Sequence, residues 1–266
     1  MQGRKSDQVS ASDVSLWVVV FDLHYPEYHR PTWDAVRAIL ADQSDRLAGF
    51  VFGGDQFHFD SISHHNAGKP LYQTPGGYER DLSGFDRHIL TPLEALLPPG
   101  VTRVWLVGNH ERFERDVVET MPGLQNMLDH TRLLRLRERG WTVVPQGGGY
   151  KIGKLHVIHG DVIRGGRYVA ARAVELFCEN VLMGHHHVPQ HYTKTAARPT
   201  DRWGGWVAPV ASNLFPRYLG GAPTGWINGF VLVEVVRSGS FQVIPLYVTK
   251  GRVLYGGKSY GRGKAA

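Results

Sequence analysis

Residues 181–190 read VLMGHHHVPQ: a short apolar run and a glycine, then three consecutive histidines, His185 to His187. Imidazole is the commonest side-chain ligand for metals, and four other apolar runs end in side chains of similar use. VVVFDLH delivers Asp22 and His24, FVFGGD delivers Asp55, VWLVGNHE delivers Asn109 and His110, and LHVIHGD delivers His159. A single "GNH" or "HGD" is equally well a turn with a polar cap. Five such endings, mixing carboxylate, carboxamide and imidazole, point to one metal centre assembled from separate strands, because sites form at the carboxyl ends of strands in open α/β sheets. Side chains two apart on an extended segment project to the same side. That spacing predicts that Asp22 and His24 face one ion together, that His185 and His187 share a face, and that His186 turns away.

The runs that must position these residues are brief and rich in β-branched side chains, as buried strands are. They are SLWVVVFD, GFVFGG, TRVWLVG, WTVVP and VLMG, with YKIGKLHVIHG as a strand pair turning at Gly153 and Lys154. Helical patterns lie between them. RPTWDAVRAILADQSDRL has Pro31 near its start, where a helix accepts proline. Another helix runs to about residue 97, two within 111–139 break near Pro122, and RYVAARAVELFCEN forms the last. After residue 190 the pattern becomes β-rich: HYTKT, GWVAPVAS, GFVLVEVVR and SFQVIPLYVTK. An α/β first part running into a β-rich last part predicts a four-layer α/β/β/α sandwich, two mixed β-sheets flanked by helices. The expectation is one domain over residues 1–266, with flexible tails at 1–13 and 256–266.

Composition narrows the function classes. With 42% hydrophobic and 20% charged residues the chain has ordinary globular make-up. The apolar run LWVVVF is too short for a signal core or a membrane span, so the expectation is a soluble cytoplasmic protein with no membrane partner. The lone Cys178 excludes a disulfide and a thiolate metal cluster; within a helix it reads as a small core residue. There is no G-x-S-x-G for a serine hydrolase. Residues 1–150 hold 15 basic and 19 acidic side chains, whereas residues 151–266 hold 15 and 5, leaving a net +10 in the second part. That asymmetry suits an anionic substrate or a nucleic-acid partner; solubility alone would also account for it. Nothing in the sequence fixes an oligomeric state.

Taken as a set, DLH at 22–24, GD at 54–55, GNHE at 108–111, His159 and GHHH at 184–187 resemble the D-x-H, G-D, G-N-H-D/E, H and G-H-x-H pattern of the calcineurin-like metallophosphoesterase superfamily. Compact members of this kind occur in phage genomes. The resemblance spans residues 16–187, and the remaining residues would supply the family's second sheet. It implies a hydrolase of phosphate esters holding two divalent transition-metal ions, manganese first, with iron, zinc, cobalt or nickel as alternatives. Asp55 would bridge them. Asp22, His24 and His187 would complete the first site, and Asn109, His159 and His185 the second. A metal-bridging hydroxide would attack phosphorus, and His110 would protonate the leaving oxygen, with Asn109 and His110 touching substrate. The basic second half favours a phosphodiesterase or nuclease-type activity; a phosphomonoesterase is the alternative. A non-catalytic scaffold of the same fold is less well supported, because such members usually lack ligands or the "GNH" histidine and this chain has them all.

One position departs from the pattern. The family often has a further aspartate three residues after the "GD" carboxylate, and this chain has His58, which leaves substrate choice open. The long polar stretch 55–77 reads as a lid or binding surface, in which His58, His64 and His65 either touch substrate or face solvent. Arg164 and Arg167 either bind a phosphate, as guanidinium groups do bidentately, or sit on the surface. Asp161 either orients a ligand histidine or caps a helix, and Glu111 has the same choice of a supporting role. The aromatic segments DRWGGW and NLFPRYLGGAPTGWING either stack a base or pack strand corners.

Overall fold

The computed structural model describes residues 13–72, 74–197, 202–216 and 219–262. Its elements run β1 (Val14–Val20), α1 (Arg30–Asp42), β2 (Leu47–Phe52), α2 (Gly77–Phe85), α3 (Thr91–Glu94), β3 (Thr102–Leu106), α4 (Phe113–Thr120), α5 (His130–Leu133), β4 (Trp141–Val144), β5 (Gly149–Ile152) and β6 (Leu155–Ile158). They continue with α6 (Val169–Phe177), β7 (Asn180–Met183), β8 (Gln190–Thr195), β9 (Arg202–Val207), β10 (Gly229–Val236), β11 (Phe241–Tyr247), β12 (Val253–Tyr255) and β13 (Lys258–Tyr260).

Two mixed sheets result, ordered β11-β10-β1-β2-β3-β4 and β5-β6-β7-β9-β8. In the first, β1 to β4 are parallel and β10 and β11 add on antiparallel; in the second, β6, β7 and β9 are parallel. The layering follows from period-2 side chains. Leu16, Val18, Val20, Phe50, Phe52, Trp105, Phe230 and Leu232 face the helices, packing on Trp33, Val36, Ile39 and Leu40 of α1. The alternate residues Val19, Val51, Val104, Leu106, Val231 and Val233 face the second sheet and meet Leu155, Val157 and Leu182. On the far face of that sheet Ile158, Val181, Met183 and Val207 receive Ala170, Ala173 and Val174 of α6. The four-layer α/β/β/α sandwich expected from the sequence is the architecture found.

Two expectations need correction. The tail 256–266 is not uniformly flexible: β12 and β13 form a hairpin through Tyr260, whose hydroxyl, with Lys258 Nζ, binds the Asp42 carboxylate at 2.7 and 2.8 Å. VLY-GG-KSY is a two-residue Gly-Gly hairpin, which a reading of composition alone misses. Residues 1–12 and 263–266 of the expected tails lie outside the described residues. Cys178 is not a core residue within a helix. It ends α6 in a left-handed conformation, φ 52°, and is exposed.

Candidate metal centre

Because β1, β2 and β3 are parallel, and β6 and β7 parallel in the facing sheet, their carboxyl ends lie along one edge of the sandwich. Asp22 and His24 follow β1, Asp55 follows β2, Asn109 and His110 follow β3, His159 follows β6, and His185 and His187 follow β7. All seven sequence-predicted ligands are gathered there. One cluster is Asp22, His24 and His187, with His24 Nε2 3.4 Å from His187 Nε2 and the latter 3.3 Å from Asp22 Oδ1. A second is Asp55, His159 and His185, with His159 Nε2 3.3 Å from Asp55 Oδ2 and 3.1 Å from Asn109 Oδ1, and the rings of His24, His58 and His110 form a third group of the same kind. Asp55 reaches both, its Oδ2 also lying 4.0 Å from His24 Nε2. Donors about 2.1 Å from a common ion stand roughly 3.0–3.4 Å apart, so these spacings fit divalent cations, and the mixed imidazole–carboxylate–carboxamide set suits a transition metal.

The backbone is bent to achieve this. Among the described residues nine non-glycine residues have positive φ, and five are candidate ligands: Asp22, His24, Asp55, His185 and His187, between 50 and 63°. Such conformations cost roughly 1–3 kcal/mol each and persist where the surroundings over-determine them. They also revise the expected geometry. Asp22 with His24, and His185 with His187, are not alternate residues of an extended strand; each pair sits on a tight loop past its strand. His185 and His187 consequently serve different clusters, and His186 turns away to lie against the loop at Gly160 and Gly165. Two motif glycines exist for the close approach this requires. A Cβ on Gly108 would stand 2.2 Å from Asp55 Oδ1, and one on Gly184 2.5 Å from Asp22 Oδ2.

Neighbouring groups fix protonation. His159 donates from Nδ1 to the Gly53 carbonyl at 3.1 Å, which turns Nε2 into the centre. Burial lowers the His159 pKa, but the Asp55 carboxylate outweighs it and raises the net value to about 10. Asp55 shows the converse: burial raises its pKa, yet His159 and His110 pull it well below the usual carboxylate range. His24 is held neutral by burial and by His110. Without metal, Asp55 and His159 thus form an ion pair, and a cation would displace the proton on His159.

Glu111 resolves into a structural clamp. Its buried carboxylate accepts from Gly108 N at 2.7 Å, Asp55 N at 3.1 Å and Phe57 N at 3.1 Å, locking two ligand loops together. Asp161 neither orients His159 nor caps α6. It accepts from Gln146 Nε2 at 2.6 Å, and the N-cap of α6 is Tyr168. His110 donates its backbone N–H to Asp55 Oδ1 at 2.9 Å; its ring Nδ1 donates to the His58 carbonyl at 3.0 Å, leaving Nε2 4.0 Å from Asp55 Oδ2. His58 is buried beside these rings, with Nδ1 3.4 Å from His24 Nδ1, and is held neutral, its pKa near 4, by burial and by His110. With His65, Lys69 and Phe113, His58 and His110 line a cavity of about 470 Å³. His64 and His65 are exposed and lie against Phe113. Arg164 and Arg167 are exposed on the loop before α6, outside both ligand clusters. Trp226, which no motif marks, lies with its ring 4.3 Å from that of His187.

No family model matches the chain, and no curated protein does. Solved structures similar to it include Vacuolar Protein Sorting 29 from Cryptosporidium parvum, at 12% identity and TM-score 0.44, covering 92% of this chain and 94% of the other. A conserved uncharacterized protein and predicted phosphoesterase from Streptococcus pneumoniae TIGR4 matches at 12% identity and TM-score 0.38, over 94% and 98% of the two chains. Nuclease MPE from Pseudomonas putida matches at 14% identity and TM-score 0.36, over 86% and 87%. In sequence order the chain carries D-x-H at 22–24, G-D at 54–55, G-N-H-E at 108–111, His159 and G-H-x-H at 184–187, and the side chains of these motifs gather at one edge of the fold.

Proposed function

We propose that the protein is a hydrolase of phosphate esters that works with two divalent metal ions, manganese first among them. The observation that supports this is the convergence of two donor clusters on one shared carboxylate, Asp55. Asp22, His24 and His187 would hold one ion, and Asn109, His159 and His185 the other. Such an ion pair, when bound, supplies positive charge to the phosphoryl oxygens and generates the nucleophile from water.

The chain's own groups do the rest. Asp55, within 3.3 Å of His159 and 4.0 Å of His24, would supply the anionic charge that keeps two cations close. Its backbone contact to His110 ties the proton donor to the bridge. With Nδ1–H engaged by the His58 carbonyl, the Nε2 edge of His110 faces the substrate and protonates the departing oxygen. Placing a proton this way typically contributes about 10²–10⁴ in rate. Glu111 keeps the Asp55 and Gly108 loops in register.

The test is a calorimetric titration of chelator-treated protein with manganese, followed by assays on nitrophenyl phosphate mono- and diesters. Two ions per chain and metal-dependent turnover are expected. Absence of both would overturn the reading.

A further inference from the structure

The candidate site has two unlike walls. Rings run in order across it: His58 and His110 on one side of His24, at 5.3 and 4.6 Å, and His187 at 5.3 Å, with Trp226 beyond it. The His110 wall is polar, formed by His58, His65 and Lys69 around the cavity described above. The Trp226 wall is apolar and exposed: Val188, beside Gly225, is 38% and Ile227 43% accessible.

That second wall is a loop whose feet stand on the ligand-bearing strands. Ala208 N donates to the Met183 carbonyl and Ala211 N to the Phe21 carbonyl, so the loop starts from the ends of β7 and β1. Asn228 closes it, donating from Nδ2 to the Ser212 carbonyl at 2.6 Å and the Val210 carbonyl at 3.2 Å. A Cβ on Gly225 would lie 3.5 Å from Val188 Cγ2, so the loop meets the segment just after His187. Nothing in this anchoring requires an indole at 226. Apolar side chains in water beside a polar metal centre serve a ligand with an apolar, flat part.

We propose that Trp226 binds an aromatic group on the retained arm of a phosphodiester, and that the substrate class is a nucleoside phosphodiester. This rests on the phosphoesterase reading above. A monoester has one organic arm, which leaves from the His110 side; a diester has a second arm, and the Trp226 wall is where it goes. In the reaction the P–O bond to the departing alcohol breaks, the oxygen of water takes its place at phosphorus, and the alcohol leaves with a proton from His110. The retained phosphomonoester stays against Trp226. The net +10 of residues 151–266, the half that carries this loop, suits such an anion.

Three nitrophenyl esters with the same leaving group isolate the retained arm: nitrophenyl phosphate, methyl nitrophenyl phosphate and the nitrophenyl ester of thymidine 5′-phosphate. Base–aromatic stacking is worth about 1–3 kcal/mol, or roughly 5- to 150-fold. In the manganese-loaded protein, Trp226→Ala is expected to lower kcat/KM on the thymidine ester by at least about fivefold, through KM, and to leave the methyl ester within about twofold. Trp226→Phe, which keeps a stacking face, should restore most of the loss. An equal loss on all three esters, or a fall in metal content, would make Trp226 a prop for His187 and overturn the proposal. So would an unchanged thymidine ester. If wild-type protein turned over none of the three with bound manganese, the phosphoesterase reading itself would fall.

Discussion

Glu111→Gln preserves shape and removes the charge on the group that fastens two ligand loops. The carboxylate accepts three backbone N–H groups, two on Oε2 and one on Oε1. A carboxamide oxygen at Oε2 retains two of these bonds, but as neutral ones, weaker by about 1 kcal/mol each. The amide nitrogen then faces Phe57 N–H, donor against donor, and an unsatisfied buried donor costs about 1–3 kcal/mol. One effect opposes this: burial, and then the charge of Asp55, raise the Glu111 pKa, so part of the carboxylate's own cost disappears with it. The net is a loss of about 2–4 kcal/mol, a large share of the ~5–15 kcal/mol typical of a native protein. At roughly 2–4 °C per kcal/mol, the melting temperature should fall by about 5–15 °C. Slackening a group that orients ligands should weaken manganese binding by about 10–100-fold. Circular-dichroism melts of chelator-treated protein and calorimetric titration check both. A variant that melts within 2 °C of wild type and binds manganese unchanged would refute the clamp.

The remaining predictions are narrower. His110→Ala should slow an alkyl phosphate ester by about 10²–10⁴ while affecting a nitrophenyl ester far less; equal losses on the two would remove its role as proton donor. Gly184→Ala puts a methyl group 2.5 Å from Asp22 Oδ2, a clash of about 1–3 kcal/mol. It should weaken one of two manganese binding steps while secondary structure stays intact, and two unchanged steps would contradict the close-approach argument. Asp81 is held near pKa 7, above its ordinary 3.8, by burial and then by the charge of Asp60. A carboxyl raised in the fold favours folding at low pH, and that contribution is lost as pH climbs from about 4 through 7. Asp81→Asn should therefore stabilise the protein at pH 8, by about 1–2 kcal/mol after discounting for partial exposure, and much less at pH 5. Urea denaturation at both pH values decides it, and an equal effect at both would show that Asp81 is not strained by its charge.

Much of the site was legible because its chemistry is concentrated at strand ends, where an apolar run stops and a ligand follows. The sandwich was legible for the same reason: Val18 with Val20 and Val19 with Phe21 sort to opposite faces by period alone. The backbone route was not. Alternation placed Asp22 and His24 together on a pleat, whereas both adopt left-handed conformations, which a period-2 pattern does not register. Trp226 was half legible: its aromatic segment read as base-stacking or corner packing, but the meeting with His187 comes through the return of a loop from β9 to β10, a contact far apart along the chain. Glu111 was half legible: its place after "GNH" suggested support, but the three donors that define the support come from Gly108 beside it and from Asp55 and Phe57 on another strand's end.

The glycines and the left-handed ligands belong to one device. A strand end can deliver a carboxylate to a shared centre only if the chain turns sharply and the facing chain has no side chain in the way. Asp55 does the first with φ 53°, and Gly108 the second. Both are held in the metal-free fold, Asp55 by His159, His110 and Glu111 and Gly108 by Glu111, yet the left-handed residue costs free energy there. Five such residues at one edge, beside an ion pair that a cation would replace, place this cost where a bound ligand can offset it. A fold selected for stability alone would spread its strain or remove it. This one concentrates strain around Asp55, and that concentration separates a metal-binding reading of the motifs from a set of polar turns.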